Sequence, residues 1–120
     1  MSGVTIVSGN PRLEAAFVDL FGRSGPVRRI WSNQWRDPVE VAMDACAADP
    51  ELVVTGADVG LEMAELVVPE IDRLFPSVTV LCLVPRLDVA TSLLLLRLGA
   101  RDVLFEGGTR DEFRDAVQPV

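Results

Sequence analysis

The chain contains no histidine, no lysine and no tyrosine. Without an imidazole there is no His-based acid–base chemistry and no Ser-His or Cys-His nucleophile pair, and the common zinc donor sets lose a ligand type. Cysteine is nearly absent too. Cys46 and Cys82 are the 2 cysteines, with no C-x-x-C spacing, and they read as small buried apolar residues rather than a disulfide or a metal pair. No apolar run approaches the roughly 18 residues of a membrane span, and no basic start leads into a long apolar stretch as in a signal peptide. The chain is therefore expected to remain cytoplasmic, without direct membrane insertion. Positive charge is scarce as well: 11 arginines face 18 acidic residues, for a net charge of −7. That field repels a phosphate backbone, so nucleic acid is not an expected partner. Arg28-Arg29 is the densest basic spot and reads as a solvated strand end.

Apolar residues, by contrast, are plentiful. They make up 49% of the 120 residues, enough for one independent core in a single domain. Val4 to Val7 reads as a strand, and Asn10-Pro11 caps a helix with Leu13, Phe17, Leu20 and Phe21 on one face. Val27 to Trp31 is a weaker second strand. Asp37-Pro38 opens a helix lined by Val41, Ala45 and Ala48, which Asp49-Pro50 stops. Leu52 to Thr55 is a third strand, wholly apolar before its threonine, as expected when both faces are covered. After the loop Gly56 to Gly60, Leu61 to Phe75 reads as a helix with Leu66, Ile71, Leu74 and Phe75 apolar, kinked or broken at Pro69. Val78 to Val84 is the most hydrophobic strand. Asp88 caps a helix running to about Leu98 with Gly99 as its stop, Arg101 to Phe105 is a fifth strand, and a last helix begins near Arg110.

Five strands alternating with five helices imply an α/β domain: a three-layer αβα sandwich around a parallel sheet. At this length the flavodoxin-like strand order 2-1-3-4-5 is expected. The last helix is short, cut off by Pro119, which suggests the N-terminal part of a longer protein.

Ligands of such sheets bind beyond the carboxyl ends of the strands, so the residues there are the informative ones. The segments VTIVSGNPRL (from Val4), PELVVTG (from Pro50) and LGARDVL (from Leu98) resemble the corresponding pieces of a CheY-like response-regulator receiver domain. In that family a magnesium-binding acidic pair, a phosphoacceptor aspartate, a hydroxyl switch residue and a lysine line the pocket. Carried over position by position, the acidic pair falls on Ser8 and Gly9, and the phosphoacceptor on Gly56, or on Thr55 if the register slips by one. The switch falls on Val84 and the lysine on Glu106. None of the required groups is present, so the resemblance is to a receiver that accepts no phosphoryl group. No catalytic residue, metal or cofactor is implied.

Asp58 lies two residues beyond the acceptor position and reads as a loop residue or cap, although a loop could return it to the pocket. Convergence of Asp58, Asp88 and Glu106 above the sheet would offer a cation site, but acids at strand ends more often cap helices. Gly107-Gly108-Thr109 lacks the spacing and lysine of a P-loop and reads as a plain turn.

Function is then expected on the surface. Val89, Ala90, Leu93, Leu94, Leu95, Leu96 and Leu98 wrap around more than one side of the fourth helix. Successive helical residues turn by about 100°, so one or two of the four consecutive leucines must face outward. The expected interaction face comprises Leu94, Leu95, Arg97, Leu98 and Phe105, with a homodimer through the fourth helix, fifth strand and fifth helix. Trp31 and Trp35 read as packing residues. The resemblance is to atypical receivers of the CpaE/TadZ type, which implies a following MinD/ParA-like ATPase and a role in localising a Flp/tad pilus assembly or a septum site. The alternative is a stand-alone signalling receiver that binds a ligand or is unconventionally phosphorylated near Asp58.

Overall fold

The computed structural model describes residues 3–117. In chain order the elements are β1 (Val4–Val7), α1 (Pro11–Phe21), β2 (Val27–Ile30), α2 (Pro38–Cys46), β3 (Leu52–Thr55), a single 3-10 turn (Ala57–Val59), α3 (Leu61–Leu74), β4 (Thr79–Val84), α4 (Val89–Leu98), β5 (Asp102–Phe105) and α5 (Arg110–Val117). Short polar side chains start three of the helices. Asn10 accepts from the Arg12 amide, Asp37 from Glu40 and Asp88 from Thr91, and each satisfies a donor that the first helical turn leaves open.

All four strand pairs are parallel, in the order β2-β1-β3-β4-β5. The expected flavodoxin-like sandwich is therefore what forms. One core lies between the sheet and α1 with α5, centred on Phe17, Leu52 and Leu81. The other lies beneath α2, α3 and α4, built from Val41, Val53, Val67, Ile71 and Leu95. Having helices on both faces explains why β1 and β3 are buried at every position.

Some details depart from expectation. α3 runs through Pro69 without a break; the proline forfeits one amide bond, while Val67, Val68 and Ile71 around it stay buried in the core. Leu66 points to solvent rather than the core, and Ala48 lies exposed beyond the end of α2. Leu95, expected on the outer surface, is only 1% exposed. It is the one residue of α4 aimed squarely at the sheet, and Leu93, Leu94 and Leu96 on its flanks turn outward instead. Arg28 and Arg29 are not freely solvated: they are half-buried, and their guanidinium groups donate to the carbonyls of Asp44 and Ser8, both at 3.1 Å. At the C-terminus of α4, Gly99 has φ +126°, and a Cβ there would lie 2.9 Å from Cβ of Asp72 on α3. Glycine is demanded twice over. Pro119, expected to stop α5, lies outside the described residues.

Candidate functional site

The carboxyl ends of β1 and β3 are neighbours, with Val7 paired to Thr55, so Ser8 and Gly56 emerge side by side. Gly56 has no room for a side chain. A Cβ there would lie 2.7 Å from Oδ1 of Asp58, 2.8 Å from Cβ of Ser8 and 2.9 Å from its Oγ. These contacts, not the backbone, require glycine: φ is −72°, open to any residue.

The 3-10 turn then folds Asp58 back over the strand ends. Its Oδ1 accepts from the Ser8 hydroxyl at 2.8 Å and its Oδ2 from the Gly9 amide at 2.7 Å. Ser8, fully buried, uses the same Oγ to accept from the Asn10 amide at 3.0 Å. Its carbonyl takes the Arg29 guanidinium described above, and Arg29 also lies 3.7 Å from Glu14. On the far side, Glu106 after β5 reaches across and accepts from the Ala57 amide at 2.8 Å. The two carboxylates thus tie adjacent residues of one short turn, Ala57 and Asp58, to the ends of the sheet.

The pocket residues named from the sequence therefore meet in part. Ser8, Gly9 and Asp58 form one hydrogen-bonded cluster, Gly56 packs against it, and Glu106 joins it through Ala57. Thr55 is buried one residue back, its hydroxyl against the Cys82 thiol, whose pKa burial pushes up to about 11 despite that bond. Val84 is buried at the end of β4 and brings no hydroxyl. Asp88 does not join Asp58 and Glu106. It binds the amide and hydroxyl of Thr91, which hold its carboxyl below the usual range. Among the described residues no group of three His, Cys, Asp or Glu side chains is placed to hold a metal ion.

Sequence reasoning missed two members. Trp31 follows β2, and a Cβ on Gly9 would lie 3.7 Å from its indole ring, so the tryptophan borders the cluster at Gly9. Arg29 anchors it from below. The only available signal was their position at the end of β2, the neighbour of β1. An open cavity of about 420 Å³ adjoins the cluster, between Gly56, Leu61 and Ala64 on one side and Val84, Arg86 and Thr91 on the other.

At the β5–α5 junction, Gly107 lies under the Phe105 ring, Gly108 donates to the Phe105 carbonyl at 2.9 Å, and Thr109 caps Glu112 at 3.2 Å. A tight turn results, as expected. Of the expected interaction face, Leu94, Arg97 and Phe105 are exposed, Leu98 is half-buried and Leu95 is core. Leu87, Val89, Leu93 and Leu96 add to the exposed apolar surface, Val89 reaching 76% exposure. Among the described residues no helix is long and apolar enough to cross a membrane.

No protein-family model matches the sequence, and no curated protein matches it. Solved structures match over nearly the whole chain. A CheY-like protein, tadZ, from Pseudomonas aeruginosa superposes with a TM-score of 0.77 at 16% identity, covering 98% of both chains. A response regulator from Thermotoga maritima gives 0.76 at 19% identity, covering 98% of this chain and 95% of its own. A pilus assembly-related protein from Burkholderia pseudomallei gives 0.71 at 21% identity, with 98% and 87% covered. At these identities the likeness shows the fold, which is that of a CheY-like receiver domain.

Proposed function

We propose that the chain is a receiver-fold interaction and localisation module that accepts no phosphoryl group and performs no catalysis. The observation that carries this reading is the occupied pocket. The Asp58 carboxylate is spent on Ser8 and Gly9, Gly56 has no room for an acceptor, and the chain contains no lysine. Phosphoryl transfer to an aspartate needs magnesium ligands and a cation for the transferred oxygens, and Glu106 puts negative charge where the resemblance calls for a positive one. The likeness to pilus assembly proteins supports a role of CpaE/TadZ type in pilus or septum placement. In that role the chain would be the N-terminal part of a longer ATPase, recruited to a cell pole or septum, and would pair with a second copy through α4, β5 and α5.

Incubation with acetyl phosphate and magnesium tests the central claim. The intact mass should stay unchanged; a stoichiometric phosphate adduct overturns it. Such an adduct on Asp58 would favour the second reading, a signalling receiver, for which the return of Asp58 to the strand ends is the supporting observation. The mass of the polypeptide in its source cell tests the ATPase assignment: a mass well above 13.0 kDa is expected, and a mass equal to it removes that assignment.

A further inference from the structure

α3 packs against both α2 and α4, which flank it in the helical layer. α2 buries Val41, Ala42, Ala45 and Cys46 and turns a mixed face outward. On that face Val39 and Met43, one turn apart, are 40% and 51% exposed. Glu40 and Asp44, also one turn apart, run beside them, since residues four apart share a helix face. Trp35 and Asp37 from the preceding loop complete an open groove of about 490 Å³.

Hydrogen bonds hold the three acids in place, and the Arg28 guanidinium reaches the backbone carbonyl of Asp44 rather than a carboxylate. Asp37 accepts from the Glu40 amide at 2.9 Å, Glu40 from the Arg36 amide at 2.6 Å, and Asp44 from the Trp35 indole at 2.5 Å. None of them forms an ion pair among the described residues. Capping explains the first two carboxylates. It does not explain an apolar ridge left in water between fixed negative charges, where polar residues would cost nothing. The charge repels anionic lipid surfaces and nucleic acid alike, so a complementary occupant is cationic and apolar on one side.

We propose that this groove docks a basic amphipathic helical segment of a partner protein. Apolar residues spaced three or four apart would lie along Val39 and Met43, and arginine or lysine would pair with Glu40, Asp44 and Asp37. The groove shares no lining residue with the Asp58 cluster or with α4.

The chain has 2 tryptophans and no tyrosine, and both tryptophans are here: Trp35 lines the groove and the Trp31 ring lies 5.8 Å from it. Intrinsic fluorescence therefore reports on this face through Trp35, and on its border with the Asp58 cluster through Trp31. The probe is a synthetic helix-forming peptide of leucine, alanine and arginine, with leucines and arginines on separate faces. Its control is the same composition scrambled to remove the faces. The amphipathic peptide should shift the emission saturably, and Met43→Glu should weaken its binding about tenfold or more even though the substitution adds negative charge. Met43 is half exposed, so the variant should keep the fold; Val39→Ser serves the same purpose if it does not. Leu93→Glu on α4 should leave binding unchanged. Equal binding of the scrambled peptide, or unchanged or tighter binding to both groove variants, would mean diffuse attraction to an acidic protein and would overturn the proposal.

Discussion

At the ends of β1 and β3 the polar side chains find their partners within the chain, whereas on α4 the apolar side chains outnumber the buried places available to them. Ser8, Asp58 and Glu106 each hold at least one internal hydrogen bond, and Trp31 borders the cluster at Gly9. On α4 only Leu95 is buried, while Val89, Leu93, Leu94 and Leu96 meet water. A fold that binds ligands at its strand ends has here turned its polar chemistry inward and left its unsatisfied surface on a helix. Surface of that kind finds stabilisation in contact with another molecule.

Substitution of adjacent leucines should separate the two roles of α4 most sharply. Leu95→Ala removes a core side chain and should cost about 2–5 kcal/mol, with Leu95→Glu costing more because the carboxylate would be buried without a partner. Leu93→Glu, two residues away on the exposed side, should change stability by no more than about 0.5 kcal/mol. Urea denaturation measures both. If α4 mediates pairing, light scattering should show the native chain associating and Leu93→Glu monomeric. A native chain that is monomeric at all concentrations rules out pairing through this face.

The next largest effect should come from the strand ends. Gly56→Ala forces a methyl against Ser8 and Asp58 within a buried cluster, for about 1–3 kcal/mol. Gly9→Ala meets the Asp58 carboxylate at 3.3 Å and the Trp31 ring at 3.7 Å, both looser than the contacts at Gly56. It should stay within about 0.5 kcal/mol. Equal urea midpoints for the two variants would show that the cluster is looser than its distances imply.

Much of this architecture was legible in the residues. The caps at Asn10, Asp37 and Asp88 and the apolar run of β3 are local signals, and the chain folds as they direct. Pro69 does not break α3, because a proline's local penalty is outweighed when neighbours such as Val68 and Ile71 are held by the core. Leu95 was misassigned because four consecutive leucines contain no internal mark of which one faces the sheet; packing against α3 and the sheet decides it. The candidate cluster was half legible. Its members could be named from strand ends, but Ser8 and Asp58 are 50 residues apart, and only the 3-10 turn brings them to 2.8 Å. Glu106 and Ala57, 49 residues apart, meet in the same way. Arg28-Arg29 looked solvated because a dipeptide on an edge strand does not disclose the carbonyls of Ser8 and Asp44 beside it.

The smallest expected effect lies at the start of α4, where a polar group is satisfied at the foot of the apolar face. Thr91 donates both its hydroxyl and its amide to Asp88, and these bonds hold the Asp88 carboxyl below its ordinary value of 3.8. A carboxyl depressed in the folded chain contributes stability above its unfolded pKa and loses it as the pH falls through the folded one. Asparagine caps helices about as well as aspartate but carries no charge. Asp88→Asn should therefore be slightly less stable than the native chain at neutral pH, and the gap should close as the pH falls below 3.8. Urea midpoints at pH 7 and across the acid range read this directly. A gap that persists unchanged in acid would assign the cap to shape rather than charge, and α4 would then begin as well with a neutral side chain as with a carboxylate.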